Sequence, residues 1–199
     1  MHMASATALK ASPLQPEDWI RAAFARLSSE GIDAVRIELL ARDLGVSKGS
    51  FYWHFVDREE LLGRMFDRWE NDEIAWLDET VITPKAAARW ARFVHHCTDR
   101  QLARLESAMR TWSRRDERIA ARIAAIEKRR VAHISSVLRA IGFVAPAAES
   151  WAEITLLVYL GWLDRVTRDL EFQVSGRTLD EFFSDLILAA SDRSADHTA

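Results

Sequence analysis

The 199-residue sequence predicts an all-α fold: a three-helix, helix-turn-helix N-terminal domain followed by a larger helical C-terminal domain, about nine helices in all. Three observations carry that expectation. Apolar residues recur at helical spacing along most of the chain, and no alternating strand pattern stands out. Gly and Pro are few, seven and four, and several stand where periodic stretches end. Residues 36–55 read as two short helices joined by a tight turn.

In chain order, residues 1–15 are rich in Ala and Ser and predict a mobile arm. Met1-His2-Met3 has the look of a cloning scar. Pro16-Glu17-Asp18 opens a helix, Pro suiting the first turn and the acids its dipole. Trp19, Ile20, Ala23, Phe24 and Leu27 give it an apolar stripe, and Gly31 ends it. Ile32 and Val35 lead onward as core contacts.

Leu40, Ala41 and Leu44 form one face of the next helix. Gly45 permits the left-handed backbone of a helix end, Val46 plugs the turn, and Ser47 is an N-cap by type. The helix that follows is odd for a core element. Lys48, Gly49, Ser50, Tyr52 and His54 are small or hydrogen-bonding, and only Phe51 and Phe55 make an apolar i, i+4 pair. A short helix anchored along one edge, with donors elsewhere, suits insertion into a DNA major groove.

Asp57-Arg58-Glu59-Glu60 is a capping box by type. It opens a helix expected to run to about residue 78, roughly 30 Å, long enough to pass from one domain into the other. Thr83-Pro84 caps a helix bearing Ala86, Trp90, Phe93, Val94 and Cys97. Leu102, Leu105, Met109 and Trp112 mark the next. Asp116 caps a long one closed by Gly142, and residues 147–170 make a strongly apolar helix after Ala145-Pro146. Thr178-Leu179-Asp180-Glu181 is a second capping box, opening a last helix with Phe182, Phe183, Leu186, Ile187 and Leu188.

Net charge is −3, and residues 1–70 carry nine Lys and Arg against eleven Asp and Glu. The N-terminal domain is therefore not basic overall, and only local placement of Arg36, Lys48 and Arg58 serves DNA. Residues 85–140 are basic, fourteen against five, and read as a solvated helix face or a surface for an acidic ligand. Residues 141–199 carry four basic and ten acidic residues. No run of apolar residues is long enough to span a membrane, no secretory signal stands at the N-terminus, and one cysteine, Cys97, excludes an internal disulfide. These features predict a cytoplasmic protein.

The run Gly49-Ser50-Phe51-Tyr52-Trp53-His54-Phe55, with Gly31, Leu40-Ala41, Leu44-Gly45-Val46-Ser47 and Arg58-Glu59-Glu60-Leu61, resembles the N-terminal DNA-binding domain of the TetR (tetracycline-repressor-like) family of bacterial regulators. The resemblance covers residues 17–69; the remainder matches only as a helical domain of the right size. It implies a homodimeric repressor whose C-terminal domain binds a small molecule and so releases DNA. Carried over, Lys48, Gly49 and Ser50 face base edges or nearby backbone. Tyr52 and His54 approach phosphates or bases, and Arg58 holds a phosphate at the start of the fourth helix. With Arg36 and Ser47 beside them, these are the expected DNA-binding residues. Phe51 and Phe55 should be buried, and Trp53 is ambiguous, read as packing with base contact as the alternative. Two departures stand out: Arg36 where Thr or Ser commonly caps the second helix, and Glu38 where some members carry a basic residue. Glu38 would either accept from cytosine or point away.

In the C-terminal domain, Trp90, Phe93, Cys97, Met109 and Trp112 are the candidate effector-pocket residues, favouring an apolar or aromatic ligand. Arg104, Arg110, Arg114 and Arg115 nearby admit a negative group on it. His95-His96-Cys97 with Asp99 does not make a metal site, because His95 and Cys97 do not share a helix face. No phosphate loop, nucleophile elbow, HExxH or paired carboxylates with a base occurs, so neither catalysis nor a cofactor is expected. The expected organisation is a DNA-binding domain over 17–65 and a ligand-binding and dimerisation domain over 66–192. The last two helices hold more large apolar residues than one buried face requires, which predicts a homodimer. The rival reading is a helical ligand-binding protein with a weak or vestigial DNA-binding head.

Overall fold

Helix boundaries follow the local chemistry closely. The computed structural model describes residues 14–82 and 85–168, with Thr178, Glu181, Phe183 and Asp185, and eight α-helices lie among them. α1 (Pro16–Glu30) starts where Pro16 fits the first turn, and the Asp18 carboxylate accepts from the Gln15 N–H at 2.7 Å. Gly31, at φ 84°, ends it in a backbone conformation that a side chain would strain. A single 3-10 turn (Ile32–Ala34) leads to α2 (Ile37–Asp43) and α3 (Lys48–Phe51).

α4 (Arg58–Ile82) is longer than the sequence suggests, 25 residues or roughly 37 Å. Asp57 accepts from the Glu60 N–H at 2.8 Å, and Glu60 reaches back to the Val56 N–H at 2.6 Å, one residue further than a standard box. α5 (Ala86–Thr98) has Lys85 at its N-cap position, so it begins two residues later than Thr83-Pro84 implies; Thr83 and Pro84 lie outside the described residues. α6 (Arg100–Ser113) is capped by Asp99, which accepts from the N–H groups of Gln101 and Leu102 at 2.8 and 2.9 Å. α7 (Glu117–Ala140) is capped by Asp116 and followed by α8 (Ala145–Thr167). The expected last helix, 179–188, falls almost wholly outside the described residues, as do residues 1–13 of the expected arm. Leu14, at the end of that arm, packs on the core. No helix among the described residues is long and apolar enough to cross a membrane.

Two apolar cores form. The first joins Trp19, Phe51, Phe55, Leu61 and Phe66 to Met109, Trp112, Ile119 and Ile123. The N-terminal helices are therefore packed directly onto α6 and the start of α7, not only strung on α4. The second unites Trp90, Phe93, Cys97, Ile134, Leu138, Tyr159 and Trp162.

Between the two lies a feature that a count of charges misreads. Arg130, in the basic stretch expected to be a solvated face, is only 3% exposed. Its guanidinium donates to Glu73 Oε2 at 2.5 Å and to both oxygens of Glu106 at 2.5 and 2.8 Å. The Tyr159 hydroxyl donates to Glu106 at 2.8 Å, and Arg110 bridges Glu106 to Glu127. One cluster thus ties α4, α6, α7 and α8. Burial opposes the charge on Glu106, yet the Arg130 guanidinium outweighs it and holds that carboxyl down at about 2.

Candidate nucleic-acid interface and effector pocket

The reading head is built around Phe51. Its ring meets Trp19 edge-on at 5.2 Å and stacks with Phe55 at 5.2 Å, so the inner edge of α3 is fixed by three buried aromatics. The turn before it closes with Val46 N–H on Ala41 O at 2.9 Å, and Gly45 sits at φ 68°. α1 and α2 are clamped by Arg26, which donates to both oxygens of Asp43 at 2.6 and 2.7 Å. The opposite side of α3 is left to solvent.

Lys48 and Gly49 are exposed there, Ser50 and His54 are half-buried, and Tyr52 is 60% exposed. Ser47 occupies the N-cap position, but its hydroxyl makes no cap bond. Arg36 is exposed at the N-cap position of α2, also without a side-chain cap. A Cβ on Gly49 would meet only Ser47 Oγ at 3.5 Å, so the free fold does not itself require glycine at that position. Trp53 does not pack: it is 87% exposed, because the chain leaves α3 in a turn that carries it away from the Phe51–Phe55 edge.

Two cations are less available than the sequence implies. Lys48 Nζ lies 2.6 Å from Glu38 Oε1, and that hydrogen bond holds the Glu38 carboxyl below its ordinary range. Glu38 thus points along the same face as Lys48 and engages it. Arg58, expected on a phosphate, donates from Nε to Val35 O at 2.6 Å and from a terminal nitrogen to Ile32 O at 2.9 Å. Its geometry makes it a tether between α4 and the loop that feeds α2. Ile32 O already accepts from the Val35 N–H at 3.2 Å in the 3-10 turn, and a guanidinium at the start of α4 can reach it and Val35 O at once.

The five expected pocket residues do not share a cavity. Trp90, Phe93 and Cys97 belong to the second core, while Met109 and Trp112 belong to the first, Trp112 meeting Phe66 edge-on at 6.0 Å. Helical periodicity puts each on a buried face but does not say which core the face joins. Burial also pushes the Cys97 thiol far up, out of the reactive range. His96 is not aimed at a metal; it stacks on Trp76, ring centroids 3.9 Å apart, with Nε2 3.4 Å from Glu73. Among the described residues no three His, Cys, Asp or Glu side chains are arranged to hold a metal ion.

Cavities do exist elsewhere. One of about 600 Å³ lies between the end of α1, the 3-10 turn and α6, and Trp112 is the one expected pocket residue on it. A second, of about 570 Å³, lies between α1, α4, the end of α5 and α6, lined by Phe24, Trp69, Glu73, Trp76, His96 and Leu105 among others. No sequence pattern announces either, because their walls come from helices distant in the chain.

Residues 20–65 match the family model of bacterial regulatory proteins, tetR family. A stretch of 55 residues is 40% identical to an HTH-type transcriptional repressor of Mycobacterium tuberculosis, covering 28% of this chain and 21% of that one. Over 81 residues the chain is 32% identical to the class A tetracycline repressor from transposon 1721 of Escherichia coli, covering 41% and 35% of the two. The chain thus matches between a fifth and about a third of the length of these curated relatives. In fold, it resembles a transcriptional regulator from Rhodococcus with a TM-score of 0.70, at 19% identity over 87% of this chain and 94% of that one. A TetR-family regulator from Mesorhizobium loti follows at 0.65, with 15% identity over 90% and 94%.

Proposed function

We propose that the chain, whose residues 20–65 match the tetR family model, is a TetR-family regulator: a sequence-specific, non-enzymatic DNA-binding protein acting in the cytoplasm. The head, 17–65, reads a palindromic operator, and the body, 66–192, dimerises and receives a small effector that releases DNA. The observation that carries this reading is the face of α3: aromatic anchoring behind, and Lys48, Gly49, Ser50 and Tyr52 presented in front.

A homodimer is supported by α8. Trp151, Ile154 and Leu157 form an exposed apolar stripe along it, with exposed Gly161 continuing the line. A second copy laid on that stripe would bury it and set two reading heads about 34–36 Å apart. An unbiased DNA selection with the free protein tests the whole reading. A palindromic consensus is expected, with binding lost in Tyr52→Ala and a dimer by sedimentation that Leu157→Glu splits. Salt-dependent binding without sequence preference would leave the head vestigial and favour a ligand-binding protein.

A further inference from the structure

We propose that the cavity between α1, α4 and α6 is a binding site for flat aromatic cations that carry an N–H donor. The proposal deepens the effector reading above by naming a site and a ligand class. Its walls are aromatic and aliphatic: Phe24 from α1, Trp69 and Trp76 from α4, Leu105 from α6. His96 stacks face to face on Trp76, ring centroids 3.9 Å apart at 15°, so the pair forms a rigid aromatic stack in the wall. At about 570 Å³ the space suits a small ligand of a few fused rings.

Charge decides the sign of the ligand. Glu17, Asp72 and Glu73 line the cavity against Arg21 and Arg68. Both cations are already held: Arg68 donates to both oxygens of Asp72 at 3.0 and 2.8 Å, and Arg21 to Asp18 at 2.5 Å. Behind the wall, Glu73 joins Glu106 and Glu127 in sharing two guanidiniums, Arg110 and Arg130, so that with Glu73 counted once five carboxylates stand against four guanidiniums. The site therefore holds an excess of negative charge in a half-enclosed, aromatic setting, where a cation over a ring face gains most. Glu73 is the anchor. It is 93% buried; its Oε2 takes Arg130 at 2.5 Å, while among the described residues Oε1 has the long 3.4 Å contact with His96. That oxygen has room to accept from a ligand N–H. An anionic ligand would meet three carboxylates, and among the described lining residues both guanidiniums, Arg21 and Arg68, are already paired with carboxylates.

Three probes of one shape isolate charge: 9-aminoacridine (cationic at neutral pH), acridine (neutral) and acridine-9-carboxylate. Calorimetric titration of the free protein, without DNA, should show one site for 9-aminoacridine, about tenfold tighter than for acridine. The carboxylate should bind weakest. Glu73→Gln should erase the preference for the cation, but it also disturbs Arg130. Leu102→Arg is the cleaner variant: Leu102 lines the cavity and is 40% exposed, so a charge there leaves the fold intact. It should weaken 9-aminoacridine at least about tenfold with an unchanged melting temperature. Equal binding of the three probes, no saturable binding, or full binding by Leu102→Arg overturns the site. Because no DNA is present, any of these results leaves the operator reading standing, and failure of the DNA selection leaves this site standing.

Discussion

The two halves of the molecule are held by opposite chemistries. The centre of the head is Phe51 among Trp19 and Phe55, all apolar. The centre of the body is Arg130 between Glu73 and Glu106, with Tyr159 bonded to the same carboxylate. Each large apolar side chain in the head contributes about 1.5–3 kcal/mol with little demand on direction. The ionic centre gains almost nothing until every partner is in place, since burying the charges costs several kcal/mol apiece. The head is thus a rigid reading block. The body is specified by one geometry that links four helices, so a displacement of any of them is felt by the others.

The largest test of that contrast is Arg130→Ala, expected to lose about 3–5 kcal/mol by urea unfolding because two buried carboxylates are left uncompensated. Phe51→Ala should cost a similar 3–5 kcal/mol in the head. The difference lies in rescue. Replacing Arg130, Glu73 and Glu106 together by Met, Leu and Met should recover much of the loss, since the charges that remain, Arg110 and Glu127, pair with each other. No comparable second change refills the Phe51 cavity. A triple variant as unstable as Arg130→Ala alone would mean the centre is not governed by charge compensation.

The same contrast explains what the sequence made legible. The head could be read because each apolar position shares one local periodicity: Leu40, Ala41, Phe51 and Phe55 are all buried where expected. Gly31 and Gly45 both adopt positive φ at the helix ends assigned to them. In the body, charge pattern misled. Arg130 and Glu106 look like residues of a solvated face, and only the meeting of α4, α6 and α7 makes them interior. Likewise Met109 and Trp90 sit on buried faces of separate cores, a distinction that spacing along one helix does not contain. The exposure of Trp53 and the carbonyl contacts of Arg58 were not legible for a local reason: the turn after α3 and the reach of a guanidinium to main-chain carbonyls are decided by backbone geometry.

Acid should loosen the body before the head. His133 is buried, and burial together with nearby Arg89 depresses its folded pKa to about 4 from 6.5. A depressed base keeps its full contribution above the unfolded value and loses it as pH falls from 6.5 towards 4. The loss is of order 3 kcal/mol at most. Glu106 follows: its contribution is present above 4.5 and disappears as pH falls towards about 2. Urea midpoints should therefore drop between neutral pH and pH about 5, and His133→Gln should flatten that slope. An unchanged slope in that variant would remove His133 from the account.

Arg58 sharpens the head's own mechanics. Its bonds to Ile32 O and Val35 O predict that Arg58→Met loses about 2 kcal/mol of stability. The slope of log affinity against log salt should be unchanged, because no phosphate contact is lost. A slope reduced by about 1 would return Arg58 to the DNA backbone. In that case the carbonyl tether is a feature of the free protein only, exchanged for phosphate on binding.

The smallest effect on stability falls at the pair facing the groove. Lys48 and Glu38 are exposed, so their 2.6 Å contact stabilises the free fold little, and Glu38→Gln should leave the urea midpoint essentially unchanged. Its effect on DNA is the informative one. With the carboxylate gone, Lys48 is released towards phosphate or guanine, and a repulsive charge leaves the interface. Affinity for all sequences should rise a few fold and the salt slope should steepen by up to about 1. In a Lys48→Ala background only the gain from lost repulsion should remain, so the two substitutions should be non-additive. The opposite outcome is as definite. If Glu38 accepts from a cytosine in the operator, Glu38→Gln will weaken the selected site and relax one base pair per half-site while leaving nonspecific binding untouched. Comparing the variant on operator and on scrambled DNA, at two salt concentrations, decides whether Glu38 restrains the reading head or takes part in the reading.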